Sequence, residues 1–123
     1  MPLGILVKKW NERIGLETLT QYPENKNFYI SNQTFLHLLN LHGFSNEAGM
    51  TSLTVKETNI ITYYSGKDTN YFVILALNLL ENVEDFEEIL EEIALEILEN
   101  MEENKYIKML PGLFKKIAKR EIS

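Results

Sequence analysis

The sequence predicts an α+β domain: a five-stranded antiparallel sheet with one helix on one face and two on the other, in the order β-β-α-β-β-β-α-α. Short runs rich in β-branched and aromatic residues follow one another with only turn residues between them, the pattern of hairpins and so of antiparallel pairing. The run Tyr71–Leu77 is apolar on both alternate faces. A strand apolar on both sides is covered on both sides, so it belongs at the centre of the sheet with helices above and below. From Val83 to Met101, the residues Phe86, Ile89, Leu90, Ile93, Ile97, Leu98 and Met101 recur at spacings of three and four, one apolar stripe on a helix. With 123 residues, 45% apolar and 24% charged, residues 1–123 suit one domain built on one core.

In chain order, Leu3–Trp10 reads as a strand, Asn11-Glu12-Arg13-Ile14-Gly15 as a turn, and Leu16–Tyr22 as a second strand closed by Pro23. Gly15 suits a positive φ, which costs a residue without Cβ nothing. Ser31 is a good N-cap. Behind it, Phe35, Leu36, Leu38, Leu39 and Leu41 make a short helix that Gly43 stops. Met50–Val55 and Asn59–Tyr64 read as strands joined at Lys56-Glu57-Thr58, and Ser65-Gly66-Lys67-Asp68 turns the chain into Asn70–Leu79. After the acidic helix, Asn104 and Lys105 break the pattern. Leu110, Leu113, Phe114, Ile117 and Ala118 then form a last amphipathic helix, with Pro111 expected in its first turn.

Composition removes several function classes. There is no cysteine, hence no disulfide, thiolate ligand or cysteine nucleophile, which fits a reducing compartment. The apolar N-terminus runs directly into Lys8-Lys9-Trp10, unlike a secretory signal. No apolar run approaches the roughly 20 residues of a membrane span. A cytoplasmic protein is expected, at most peripheral on a membrane. The net charge is −6, with eleven acidic and no basic residues between Glu81 and Glu103, and six basic and no acidic ones from Lys105 to Arg120. That balance disfavours nucleic acid, which needs a broad basic surface. The charge runs read as solvated helix faces.

Catalytic, metal and cofactor signatures are not found. The six glycines stand alone, so no phosphate-cradling loop forms. His37 and His42 are five apart, whereas a helical pair on one metal needs three or four. The glutamates sit on the polar side of their helix, where they stay hydrated rather than poised for acid–base work. No serine occupies a nucleophile elbow. The chain is therefore expected to be no enzyme and to carry no cofactor. Three surfaces are more informative. Trp10, Glu12 and Arg13 at the first hairpin tip combine an aromatic with charges, the composition of partner-binding hot spots, although Trp10 equally suits a cap on the core edge. The Ser31–Leu41 helix has more apolar faces than one sheet can cover. The tail Leu113–Arg120 is basic and amphipathic like a membrane-surface helix, but packing on its own sheet is the favoured reading.

The stretch Gly4-Ile5-Leu6-Val7-Lys8-Lys9-Trp10-Asn11-Glu12-Arg13-Ile14-Gly15, followed by Tyr22-Pro23, resembles the opening hairpin of longin-domain proteins. Thr51–Val55, Asn59–Gly66, Asn70–Leu77 and the acidic helix continue the likeness over nearly the whole chain. The resemblance implies a role in membrane traffic or as a small-GTPase regulatory platform, working as a homodimer or heterodimer with another longin or roadblock-type domain. It further implies pairing through the first helix and the adjacent strand, here Phe35, Leu36, Leu39, His42, Ser52, Leu53 and Thr54. Trafficking members that continue into a fusion coiled coil and anchor differ from this chain, which ends at Ser123. The rival roadblock fold begins with a helix where this chain begins with a strand; a small-molecule-sensing α/β domain is the other alternative.

Overall fold

A computed structural model describes residues 3–11, 13, 15–23, 37, 49–55, 58–66 and 69–122. They form strands β1 (Gly4–Asn11), β2 (Gly15–Tyr22), β3 (Gly49–Val55), β4 (Thr58–Tyr64) and β5 (Tyr71–Asn78). Two helices follow, α1 (Glu87–Glu99) and α2 (Tyr106–Ile122). The sheet order is β2-β1-β5-β4-β3, and every neighbouring pair is antiparallel. The expected α+β class and five-stranded antiparallel sheet are therefore present, with β5 in the middle. Each strand begins and ends within a residue of its expected bound; β5 stops at Asn78, one residue short, and leaves Leu79 in a turn.

Local chemistry sets the turns. Between β1 and β2 the Arg13 N–H donates to Asn11 Oδ1 at 2.9 Å, and Gly15 takes φ 82°, the left-handed region expected of it. A register shift between Val7 and Lys8 interrupts the β1–β2 ladder. Between β4 and β5, Gly66 at φ 105° lets its carbonyl accept from Asn70 N–H at 2.8 Å, while Ser65 Oγ accepts from Tyr71 N–H at 2.8 Å.

Alternation along the strands divides the apolar side chains between two faces. Ile5, Val7, Ile61, Val73, Leu75 and Leu77 meet Phe86, Ile89, Leu90, Ile93 and Ile97 of the α1 region and Tyr106, Leu110, Leu113 and Ile117 of α2. Both helices thus pack on the same face. Leu6, Ile60, Tyr64, Phe72 and Ile74 form the second cluster on the opposite face, with Trp10 and Leu53 against it; Tyr64 and Phe72 stack at 4.8 Å. Fully burying an aliphatic side chain contributes about 1.5–3 kcal/mol, so β5, buried on both faces from Phe72 to Leu77, concentrates the stabilisation. The helix expected over Ser31–Leu41 lies outside the described residues apart from His37, which is helical and exposed.

The acidic segment opens with a 3-10 turn, Val83–Phe86, whose start Asn82 caps by accepting from Glu84 N–H at 3.1 Å. It becomes α-helical only at Glu87. Between the helices the chain reverses through a second 3-10 turn, Glu102–Asn104, where Glu103 (φ 58°) and Asn104 (φ 57°) are consecutive left-handed residues. Asn100 secures both sides of the reversal: its side-chain amide donates to Glu96 C=O at 2.7 Å, and its carbonyl accepts from Tyr106 N–H at 2.9 Å. Pro111 is not in the first turn of the last helix. That helix starts at Tyr106, whose buried ring extends the apolar stripe one turn earlier, and Pro111 falls in its interior on the exposed side.

Candidate interaction surface

β3 forms one margin of the sheet and pairs, among the described residues, only with β4. An edge strand carries a row of backbone N–H and C=O groups open to another strand, and natural edges are usually defended by charge, proline or a bulge. β2, the opposite margin, has such defences: exposed Glu17 on the strand, the register shift in its pairing with β1, and Pro23 just past its end. β3 itself has none of them, and the charged Lys56 and Glu57 come only after its last residue in the sequence. Its sequence, Gly-Met-Thr-Ser-Leu-Thr-Val, holds no charge or proline, and its register against β4 runs without a break from Gly49↔Tyr64 to Val55↔Thr58.

The expected pairing residues divide accordingly. Ser52 and Thr54 are exposed on the helix side of β3, and Thr54 Oγ1 donates to Asn59 Oδ1 at 2.6 Å. Leu53 points to the other face and packs, half-buried, against the cluster containing Ile60 and Phe72. Phe35, Leu36, Leu39 and His42 lie outside the described residues. At the hairpin tip Arg13 is exposed, whereas Trp10 is half-buried against the second core cluster, the position of an edge cap; Glu12 is outside the described residues.

No protein-family model matches the chain and no curated protein matches it in sequence.

One apolar feature was not legible in the sequence. Leu79 and Leu80, in the turn after β5, are 51% and 96% exposed. The turn is held by its polar neighbours: Leu80 N–H donates to Asn78 Oδ1 at 2.9 Å, Asn78 N–H to Glu81 Oε1 at 3.0 Å, and the Asn59 side-chain amide to Glu81 C=O at 2.9 Å. Asn59 also receives the Thr54 hydroxyl, so this leucine knuckle is tied to the end of β3. The signal available was the pair Asn78 and Asn82 framing the leucines, both residues that favour turns.

The charged helices meet each other. Lys116 on α2 lies 3.9 Å from Glu92 and 3.4 Å from Glu96 on α1, while Leu113 and Ile117 enter the core and Phe114 meets Tyr22 of β2 edge-on at 5.5 Å. The basic helix therefore packs on its own sheet, as favoured. Elsewhere Glu84, Glu87, Glu88, Glu91, Glu92 and Glu99 are exposed. Burial lowers the Lys8 pKa and raises those of Tyr64 and Tyr106. Tyr63 is raised by burial and by the nearby Glu91 carboxylate. Among the described residues no cluster of three or more His, Asp or Glu has the arrangement of a metal site, and no helix is long and apolar enough to cross a membrane.

Proposed function

We propose that this chain is a non-catalytic interaction domain of longin-like architecture that pairs with a second domain of its own class. In this reading the pair serves as a platform for small-GTPase regulation or membrane traffic. The observation that supports it best is the undefended β3 margin, since a long, regular, uncharged edge is the surface on which another strand adds most readily. The antiparallel order with β5 central agrees with the same architecture. In it the Ser31–Leu41 segment supplies a helix to the face lined by Leu6, Ile60 and Ile74, and its residues Phe35, Leu36, Leu39 and His42 join Ser52, Leu53 and Thr54 in the dimer contact. The hairpin residues Trp10, Glu12 and Arg13 are the proposed contact to a further partner. Exposed carboxylates on α1 steer a basic partner, raising its association rate more than its affinity.

Sedimentation of the full chain over a range of concentrations tests the pairing. Wild type should show a monomer–dimer equilibrium, and Ser52→Lys, which places a charge on an exposed edge position without touching the core, should weaken it at least tenfold. A chain that stays monomeric throughout, or a dimer indifferent to Ser52→Lys, removes β3 as the interface.

A further inference from the structure

Between Glu99 and Tyr106 stand Asn100, Met101, Glu102, Glu103, Asn104 and Lys105. None is glycine or proline, and Met, Glu and Lys favour helix strongly. To reverse here, the chain holds Glu103 and Asn104 in consecutive left-handed conformations. That region disfavours side chains with Cβ; asparagine tolerates it, but glutamate has no such allowance. The local preference of Glu103 therefore opposes the reversal, which the two Asn100 hydrogen bonds and the packing of α2 against the core hold in place. Straightening residues 100–105 would fuse α1 and α2 into one helix about 50 Å long at 1.5 Å per residue. Pro111 presents no new obstacle, since it already sits inside α2.

The phase of the apolar stripes names what such a helix would bind. Tyr106 follows Ile97 by nine positions (106 − 97), which is two and a half turns at 3.6 residues per turn. In a fused helix the stripe Phe86, Ile89, Leu90, Ile93, Ile97 and the stripe Tyr106, Leu110, Leu113, Ile117 would face opposite sides. One body cannot cover both. The first stays on its own sheet, and the second fits the face that a second copy has vacated by the same opening. We propose that this chain forms a dimer by exchanging α2, with residues 102–104 as the hinge. The exchanged helix re-forms in trans the contacts of Leu110, Leu113 and Ile117 and the approach of Lys116 to Glu92 and Glu96. Its partner is a second copy of this chain, because the apolar face that accepts the stripe of α2 and the Glu92 and Glu96 carboxylates that accept Lys116 stand together beside α1.

Hinge variants of the full chain test the exchange, with light scattering for mass and circular dichroism for fold. Deletion of residues 99–105 joins Leu98 to Tyr106, leaves no chain to reverse and keeps the two stripes on opposite sides at about 200°, so the variant should fold as an obligate dimer, and should remain one when Ser52→Lys is added to remove pairing through β3. Glu103→Gly/Asn104→Gly relieves the left-handed strain and should lower at least tenfold the dimer fraction that the Ser52→Lys chain gives after refolding at its highest soluble concentration. A folded monomeric deletion variant overturns the proposal. Should the deletion variant fail to fold, the glycine pair decides: the expected fall upholds the exchange, and an unchanged dimer fraction, or no dimer at all from the Ser52→Lys parent, overturns it. A Ser52→Lys chain that gives no dimer after refolding overturns the exchange even where the deletion variant is dimeric, because a shortened hinge forces an exchange that the natural one does not make.

Discussion

Glu103 is the residue at which local preference and fold conflict most sharply. A left-handed glutamate costs on the order of 1 kcal/mol relative to glycine there, so Glu103→Gly should raise the unfolding free energy by about that amount in urea titrations. Tyr106 makes a different prediction. Burial, and then the neighbouring Tyr71, raise its pKa above the phenol's usual 10.0. A group whose folded pKa is raised binds its proton more tightly in the native state. Its contribution is complete below pH 10.0 and is lost as pH rises through the folded value. Stability should fall in that alkaline window, and Tyr106→Phe should make the fall shallower; an identical pH profile for the variant would refute the assignment. Lys116, by contrast, pairs with two exposed carboxylates, and Lys116→Met should change stability by less than about 1 kcal/mol.

At the scale of elements, β5 and α1 were readable because their residues satisfy one period throughout: Phe72 to Leu77 on both faces of a strand, Phe86 to Ile97 on one face of a helix. The expectation for β5 included its central place, and the pairing with β1 and β4 supports it. The end of β5 was read one residue long, since Leu79 and Leu80 continue the apolar run while the Asn78, Asn59 and Glu81 hydrogen bonds end the strand. The start of α2 was not readable. Proline favours the first helical turn on average, and nothing local revealed that Tyr106 was needed in the core. Among the candidate interface residues, the exposure of Ser52 and Thr54 followed from alternation, but their place on an outer strand depends on long-range pairing that no local pattern encodes. The N-cap also acts at this scale: Asn82→Ala removes the acceptor for Glu84 N–H and should lower stability by about 1 kcal/mol, measured by the shift in denaturation midpoint.

Over the whole molecule, stability should be graded from the sheet centre outward. β5 is hydrogen-bonded on both sides and buried on both faces, so its amides can exchange only through extensive opening. Native-state hydrogen exchange should find its protection highest and that of β2 and β3 lower, and Ile74→Ala should cost about 2–5 kcal/mol. Equal protection across all five strands would contradict this gradient.

The two unlike margins of the sheet also limit how far assembly through strands can go. When two copies join along β3, the combined ribbon ends at a β2 on either side, where the shifted register and Glu17 discourage further addition. If two copies join along β3 as proposed, the receptive border among the described residues is consumed, so addition of strands stops at a pair.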